Sequence, residues 1–367
     1  MDRFDRLKKS PFSKDIYGYN VSVSYNSTSL VGNIAWINNF DVTGEFISSF
    51  DDLIAGVLSG DEGLVIVTQN DESLIDKIKS ENPELKDTSI EIKAVIGRTL
   101  FSYLIAISAE GCSRAALVSA TTNRIVTQFP CIAKNFDSNM VGGGFVENED
   151  GTLYLALGDP ARQWAKDGWK SFDNSLSQNP ESPYGKVLRV SNWADFDSET
   201  ILELKIFASG LRNPQGMTST FNGDIFFTDH GASGGDELNI LIEGKDYGWP
   251  LVSMGKTYTG VKFPNSYSEK TSPIYSWIPS IAPSDVVSCP RILSDRYKGL
   301  TCTIVSSLRG ESLFVILTSG MQAQAQLRSV QKLEIGTRIR EVQASDSNSI
   351  EIFTDNGEHY KLTFSPI

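Results

Sequence analysis

Histidine is nearly absent from this chain: two residues, His230 and His359, occur among 367. A mechanism that uses a histidine base or a histidine-rich metal centre must therefore rely on one of these two. Four cysteines (Cys112, Cys131, Cys289, Cys302) are scattered, with no CxxC pair and no zinc-ligand spacing. They suit two disulfides in an oxidising compartment, or four small buried apolar residues, and for a chain of this size the second is the expectation. Basic runs are also missing. "RLKKS" at Arg6–Ser10 is too short to offset a formal net charge of −12, which excludes a phosphate-backbone partner. No apolar run approaches the roughly 20 residues that span a bilayer, so no membrane insertion is expected. The first residues, "MDRFDRLKKSPFSKD", have no apolar core of a secretory signal. The sequence as it stands thus reads as cytoplasmic unless a signal has been removed.

Helical periodicity is scarce as well. The one good candidate is "DESLIDKIKSENPEL" (71–85), where Leu74, Ile75 and Ile78 fall near helical spacing and Pro83 ends the run. What the chain has instead is short β-rich runs that finish in polar, often acidic loops. They are "GLVIVTQND" (from Gly63), "GTLYLALGD" (Gly151), "GDIFFTDHG" (Gly223), "TCTIVSSLRG" (Thr301) and "SIEIFTDNG" (Ser349). Spaced strand–turn units over a long chain predict a radially repeated all-β fold, six blades at about 61 residues each. A pair of β-sandwiches is the competing architecture. No Pro/Gly/Ser linker divides the chain, so residues 1–367 read as a single domain.

Function is carried by six motifs in a fixed order. "GLRNPQGM" (210–217) is followed by "TDHGASGGDELN" (228–239) and "GKDYGWPLVSMGKTY" (244–258). Then come "WIPSIAPS" (277–284), "SSLRG" (306–310) and "TRIREV" (337–342). This series resembles the soluble PQQ-dependent aldose sugar dehydrogenases, the glucose/sorbosone dehydrogenase family, which are six-bladed β-propellers. The match covers about residues 140–367, and residues 1–135 hold no motif that can be placed. PQQ is a planar tricarboxylate quinone, so its site calls for cations, and arginine pairs bidentately with carboxylates and stacks on rings. The resemblance implies that Arg212 and Asn213 lie against the cofactor, with Arg212 near its reactive carbonyls, and that Arg309, Arg338 and Arg340 also contact it. The "RIR" alternation puts Arg338 and Arg340 on one face of an extended segment.

Calcium takes six to eight oxygen ligands, and the glycines of "HGASGGDEL" permit turns that aim carbonyls inward. By the resemblance, the carbonyls of Gly231 and Ala232 face a cofactor-linked calcium. Glu237 and the Tyr247 carbonyl match a second, structural calcium site.

Oxidising a sugar at C1 by hydride transfer requires a base for the hydroxyl proton. The family supplies a histidine in a pattern like H-x-G-G-R-L before a strand resembling "DGTLYLALGD". Here that histidine position holds Met140 and the arginine position holds Gly144, and a thioether accepts no proton. His230 has a counterpart in the family's own loop, so it is expected to structure the turn rather than replace the base. Asp137 and Asp159 remain as carboxylate candidates that spacing does not distinguish. Two functions follow: a PQQ- and calcium-dependent sugar dehydrogenase with an impaired or relocated base, or an inactive propeller that keeps its pocket for a ligand or its edges for a protein partner.

Overall fold

The computed structural model describes residues 14–16, 19–26, 29–34, 40–50, 52–60, 63–97, 101–148, 150–161, 175–193 and 202–366. Contacts divide the chain into two compact units, Met1–Asp52 with Ser284–Ile367, and Leu53–Pro283. "RLKKS" lies outside the described residues.

The first unit begins with the antiparallel strands β1 (Lys14–Ile16), β2 (Tyr19–Asn26), β3 (Ser29–Ile34) and β4 (Phe40–Ser49). The second unit contains the hairpin β5 (Ile54–Gly60) and β6 (Gly63–Thr68), then helix α1 (Glu72–Glu81). Three four-stranded antiparallel sheets follow it. The first is β7 (Ser89–Ile96), β8 (Ser102–Ser108), β9 (Arg114–Ser119) and β10 (Ile125–Gln128). Next come β11 (Gly142–Glu147), β12 (Leu153–Leu157), β13 (Lys186–Ser191) and β14 (Glu203–Ser209). The third is β15 (Pro214–Ser219), β16 (Ile225–Asp229), β17 (Asp236–Ile240) and β18 (Tyr275–Trp277).

The chain then returns to the first unit as β19 (Pro283–Ser288), helix α2 (Arg291–Arg296), β20 (Thr301–Ser307), β21 (Ser312–Ser319) and β22 (Gln326–Glu334). It ends with β23 (Ile339–Asp346), β24 (Ser349–Thr354) and β25 (Glu358–Pro366). The last strand lies between β24 and β4, so a strand from each end of the chain closes one sheet, of order β1-β2-β3-β4-β25-β24-β23. With the β5–β6 hairpin this gives six sheets among the described residues, the six-bladed β-propeller expected from the spacing.

The sheets form because their central strands are apolar on both faces. In β8, Leu104 and Ala106 enter a cluster with Leu153, Leu155, Leu157, Leu188 and Val190 of the following sheet. The alternating residues Tyr103, Ile105 and Ile107 pack instead with Leu74 and Ile78 of α1. Period-two alternation thus serves two interfaces at once, and "SYLIAIS" reads as a continuous apolar run. All five strand-like runs noted above are strands; four are the second of their sheets, and the fifth, β24, lies next to the edge strand β23 of the seven-stranded sheet. β8, the second strand of the β7–β10 sheet, is not among those runs. Helix α1 forms where expected, with Asp71 accepting the Leu74 N–H at 2.9 Å and the helix stopping at Asn82, before Pro83.

The cysteine expectation is corrected: all four are oxidised, as Cys112–Cys131 and Cys289–Cys302. The reason is pairing that spacing alone does not reveal. Cys289 N–H donates to Cys302 O at 3.0 Å, and Ser113 pairs with Ile132 between the other two. This brings the Cα atoms to 5.4 and 4.9 Å, within disulfide reach.

Candidate functional site

The loop after β16 is shaped by one carboxylate. Asp236 accepts the Gly231 N–H at 2.8 Å on Oδ1, while its Oδ2 accepts the N–H groups of Ile281 (2.8 Å) and Ala282 (2.7 Å) and the Ser280 hydroxyl. A side chain at Gly231 would meet the Gly234 oxygen at 2.2 Å, so the turn is closed too tightly for any other residue. His230 points its Nε2 at the Pro283 carbonyl, 2.6 Å away, fastening the loop to the first residue of β19.

Opposite this loop lies "LRNP". Asp229, at the end of β16, accepts the Arg212 N–H on one oxygen (2.9 Å) and the Asn213 N–H on the other (2.6 Å). Arg212 is only 4% exposed. Its guanidinium donates to the His230 carbonyl at 3.0 Å and the Tyr258 hydroxyl at 3.0 Å, and lies 5.4 Å above the Trp249 ring. Asn213 donates to the Asn139 carbonyl at 3.1 Å.

Arg212, Asp229, Gly231, Glu237, Tyr247 and Trp249 line one cavity, with room for about one water-sized occupant. Glu237 accepts hydrogen bonds from Asn239 and Tyr267, both at 3.0 Å. Burial, then the charges of Asp229 and Asp236, push its carboxyl up to about 8. Burial lifts Asp229 to about 7, against the pull of the Arg212 and Asn213 N–H groups and the Arg212 charge. Two buried carboxyls with raised pKa values thus line one small cavity with the Arg212 guanidinium. Carboxylate and carbonyl oxygens are the donors a hard divalent cation takes, and in that respect the residues fit calcium. Among the described residues no cluster of three or more acidic, histidine or cysteine side chains adds to them.

Met140 lies at the edge of this site. It ends the short turn Ser138–Met140, in which Asp137 Oδ1 accepts the Asn139 N–H at 3.2 Å. Its side chain is 6% exposed and packs with Ala232, Trp249 and Phe263. The position expected to hold a base is therefore an apolar wall against the tryptophan that carries Arg212. Gly144 has no room to grow: a Cβ there would meet the Gln215 carbonyl oxygen at 2.6 Å.

Asp159, the other carboxylate candidate, is 1% exposed and is not among the residues lining the cavity. Its Oδ2 accepts from Ser175 at 2.9 Å and from the Ser177 N–H, and its Oδ1 has no partner among the described residues. Burial raises its pKa. Nearby Lys186, equally buried, donates to the carbonyls of Leu176 (2.8 Å), Ser177 (2.8 Å) and Tyr184 (3.1 Å), and burial lowers it to about 8. The hydroxyl of Ser177 then reaches the Trp249 carbonyl at 2.9 Å, so this buried group supports the floor of the site.

Four of the expected residues, Arg212, Gly231, Glu237 and Tyr247, share the cavity, and Ala232 stands beside Met140. Arg309, Arg338 and Arg340 belong to the other unit. There Arg309 is exposed, and the two arginines of "RIR" do converge on one anion, donating from Nε to the two oxygens of Asp355 at 2.7 and 2.8 Å. Sequence reasoning missed Asp236, Tyr258 and the Lys186 group. Asp236 had a signal, an acid closing a glycine turn, whereas Tyr258 reaches Arg212 from 46 residues away.

Known proteins resemble this chain in sequence and in fold. The sequence profile of the Glucose / Sorbosone dehydrogenase family matches residues 104–362. Aldose sugar dehydrogenase YliI of Escherichia coli is 27% identical over 252 residues, 65% of this chain, which spans 64% of that protein's length. The solved soluble aldose sugar dehydrogenase of Escherichia coli, in its apo form, superposes with a TM-score of 0.62 at 19% identity, covering 89% of this chain and all of that one. The PQQ-bound aldose sugar dehydrogenase of Streptomyces coelicolor superposes with a TM-score of 0.55 at 18% identity, covering 88% and 98%.

Proposed function

The chain belongs to the Glucose / Sorbosone dehydrogenase family, and from that membership we propose a PQQ- and calcium-dependent sugar dehydrogenase-like protein acting on the C1 hydroxyl of an aldose. The observation that carries this reading is the buried Arg212, stacked on Trp249 beside a cavity lined by the buried carboxyls of Asp229 and Glu237. PQQ, when bound, supplies a two-electron acceptor for the hydride. The residues suited to hold it are Arg212 and, beside it, Asn213. Glu237 and the loop carbonyls around Gly231 and Tyr247 are suited to calcium. Arg212 offers a fixed positive charge to developing oxyanions, and Asp229 fixes its backbone and Trp249 its plane. The two disulfides support an oxidising compartment as its place of work.

Proton removal is where this chain departs from its family. Met140 presents a thioether among Ala232, Trp249 and Phe263, so no proton leaves through that position. This observation favours a second reading, an inactive propeller that retains the pocket for a ligand.

Thermal unfolding with PQQ and Ca²⁺ tests the cofactor. At a hundredfold excess over Kd, linkage stabilises by about 2.7 kcal/mol, and the melting temperature should rise by about 2–4 °C. No shift at micromolar PQQ defeats the dehydrogenase reading. Met140→His tests the base: dye reduction with aldoses should rise about a hundredfold or more. If PQQ binds and neither wild type nor variant turns over any aldose, the binding module is the correct reading.

A further inference from the structure

The two disulfides sit in opposite surroundings. Cys289 and Cys302 are 3% and 4% exposed, inside the apolar cluster of Leu293, Ile304 and Val315. Cys131 is exposed and Cys112 half-exposed. A cation accompanies the second pair: the Arg114 guanidinium places Nη1 2.9 Å from Cys112 Sγ and 3.7 Å from Cys131 Sγ.

Thiol–disulfide exchange depends on access to the attacked sulfur and on how well the other sulfur leaves as a thiolate. Both conditions are met at this pair, and in a defined order. Cys131 presents the open sulfur, while Cys112, closer to Arg114, is the sulfur whose negative charge the guanidinium stabilises. We propose that Cys112–Cys131 is a thiol-exchange site, attacked at Cys131 by an external dithiol, with Arg114 as the residue that positions charge for departure of Cys112. A thiolate of the dithiol bonds to Cys131 Sγ as the Cys131–Cys112 bond breaks, and the electron pair leaves on Cys112. The second thiol of the reductant then displaces Cys131. Two electrons pass to the protein, which gains a dithiol, and the reductant becomes a disulfide.

The exchange acts on a particular segment. The bond ties the start of β9 to the loop that runs from Phe129 to Val141, and this loop carries Asn139, whose carbonyl holds Asn213, and Met140. Without the bond, the loop near Cys131 keeps the Ser113–Ile132 pairing and the Tyr184 hydroxyl on the Pro130 carbonyl at 3.0 Å. Reduction therefore loosens one wall of the candidate site without dismantling the sheet. Cys289–Cys302, enclosed and without such a cation among its described contacts, is the internal reference.

The test is a timed reduction of the folded protein with dithiothreitol, followed by alkylation and peptide mass spectrometry. Cys112 and Cys131 should be labelled at least about tenfold faster than Cys289 and Cys302. Arg114→Gln should slow that labelling severalfold, Arg114→Lys should restore part of the rate, and hydrogen exchange at 129–141 should rise on reduction. Equal labelling of the two pairs overturns the proposal. So does an unchanged rate in Arg114→Gln, provided circular dichroism shows that variant folded. A Cys112→Ser/Cys131→Ser protein keeps the idea testable if Arg114 variants fail to fold: its exchange pattern should match that of the reduced wild type, and a match to the oxidised form counts against the loop claim.

Discussion

Lys186 carries its charge where water does not reach, and three carbonyls take the place of solvent. Lys186→Met keeps the stem but strands those carbonyls and leaves Asp159 without its neighbouring cation. Unfolding in urea at pH 7 should register a loss of about 3 kcal/mol. The pH dependence has a definite sign. A lysine held at about 8 in the fold and 10.5 when unfolded binds less proton folded than unfolded across that window. Its contribution is fully present above the unfolded value and is lost as pH falls through 8. The gap between wild type and Lys186→Met should therefore widen from pH 7 to pH 10, by about 1–3 kcal/mol. Gly144 makes the opposite kind of prediction. An arginine there, as the motif resemblance would have it, forces a side chain against the Gln215 carbonyl, so Gly144→Arg should lose at least about 2 kcal/mol and rescue nothing, even alongside Met140→His. That Arg212, Gly231, Glu237 and Tyr247 lie together was legible through the order of motifs shared with the family. The Lys186 group was not, since "YGKVLRV" reads as an ordinary strand start and only burial distinguishes its lysine.

Among the elements, β25 is the most constrained in the closing sheet, with β24 on one side and β4 on the other. Leu362 of β25 is fully buried with Val42, Ile350, Ile352 and Phe364. Leu362→Ala should cost about 2–4 kcal/mol, whereas Lys361→Ala, which gives up only a surface pair with Asp346, should stay within about 0.5 kcal/mol. Guanidinium unfolding of the two variants provides the comparison. The strands of the repeat were readable wherever an apolar run met an acidic loop, as at "FFTDHG" and "IFTDNG". They were unreadable where pairing is set from afar. The residues of β1 to β4 fall in the stretch without motifs, and nothing in "FDVTGEFISS" announces a partner more than 300 residues downstream.

At the level of the whole molecule, each compact unit contains one disulfide: Cys112–Cys131 in the unit of Leu53–Pro283, Cys289–Cys302 in the other. Replacing Cys289 and Cys302 by serine opens a loop with a sequence separation of 13 residues. It should lower the unfolding free energy by about 3 kcal/mol in a urea titration under oxidising conditions. The sixfold repeat was readable from five spaced strand runs and the length of the chain, but the division of the chain was not. It depends on which residues contact each other, and no linker composition marks residues 52 and 284.

That division also sets a timetable. The unit of Leu53–Pro283 is one uninterrupted run, whereas its companion is assembled from the first 52 residues and the last 84 of the chain. A ribosome therefore completes every strand from β5 to β18 while β4, already made, still lacks the neighbour it will find in β25. For that interval one border of β4 is an open row of amide and carbonyl groups, an invitation to the nascent chains nearby. Gly44 and the exposed Glu45 interrupt the apolar pattern of the strand at its middle, where Leu362 and Lys361 will eventually dock. A charge that faces Lys361 in the finished sheet is thus also the kind of residue that blunts an open strand border.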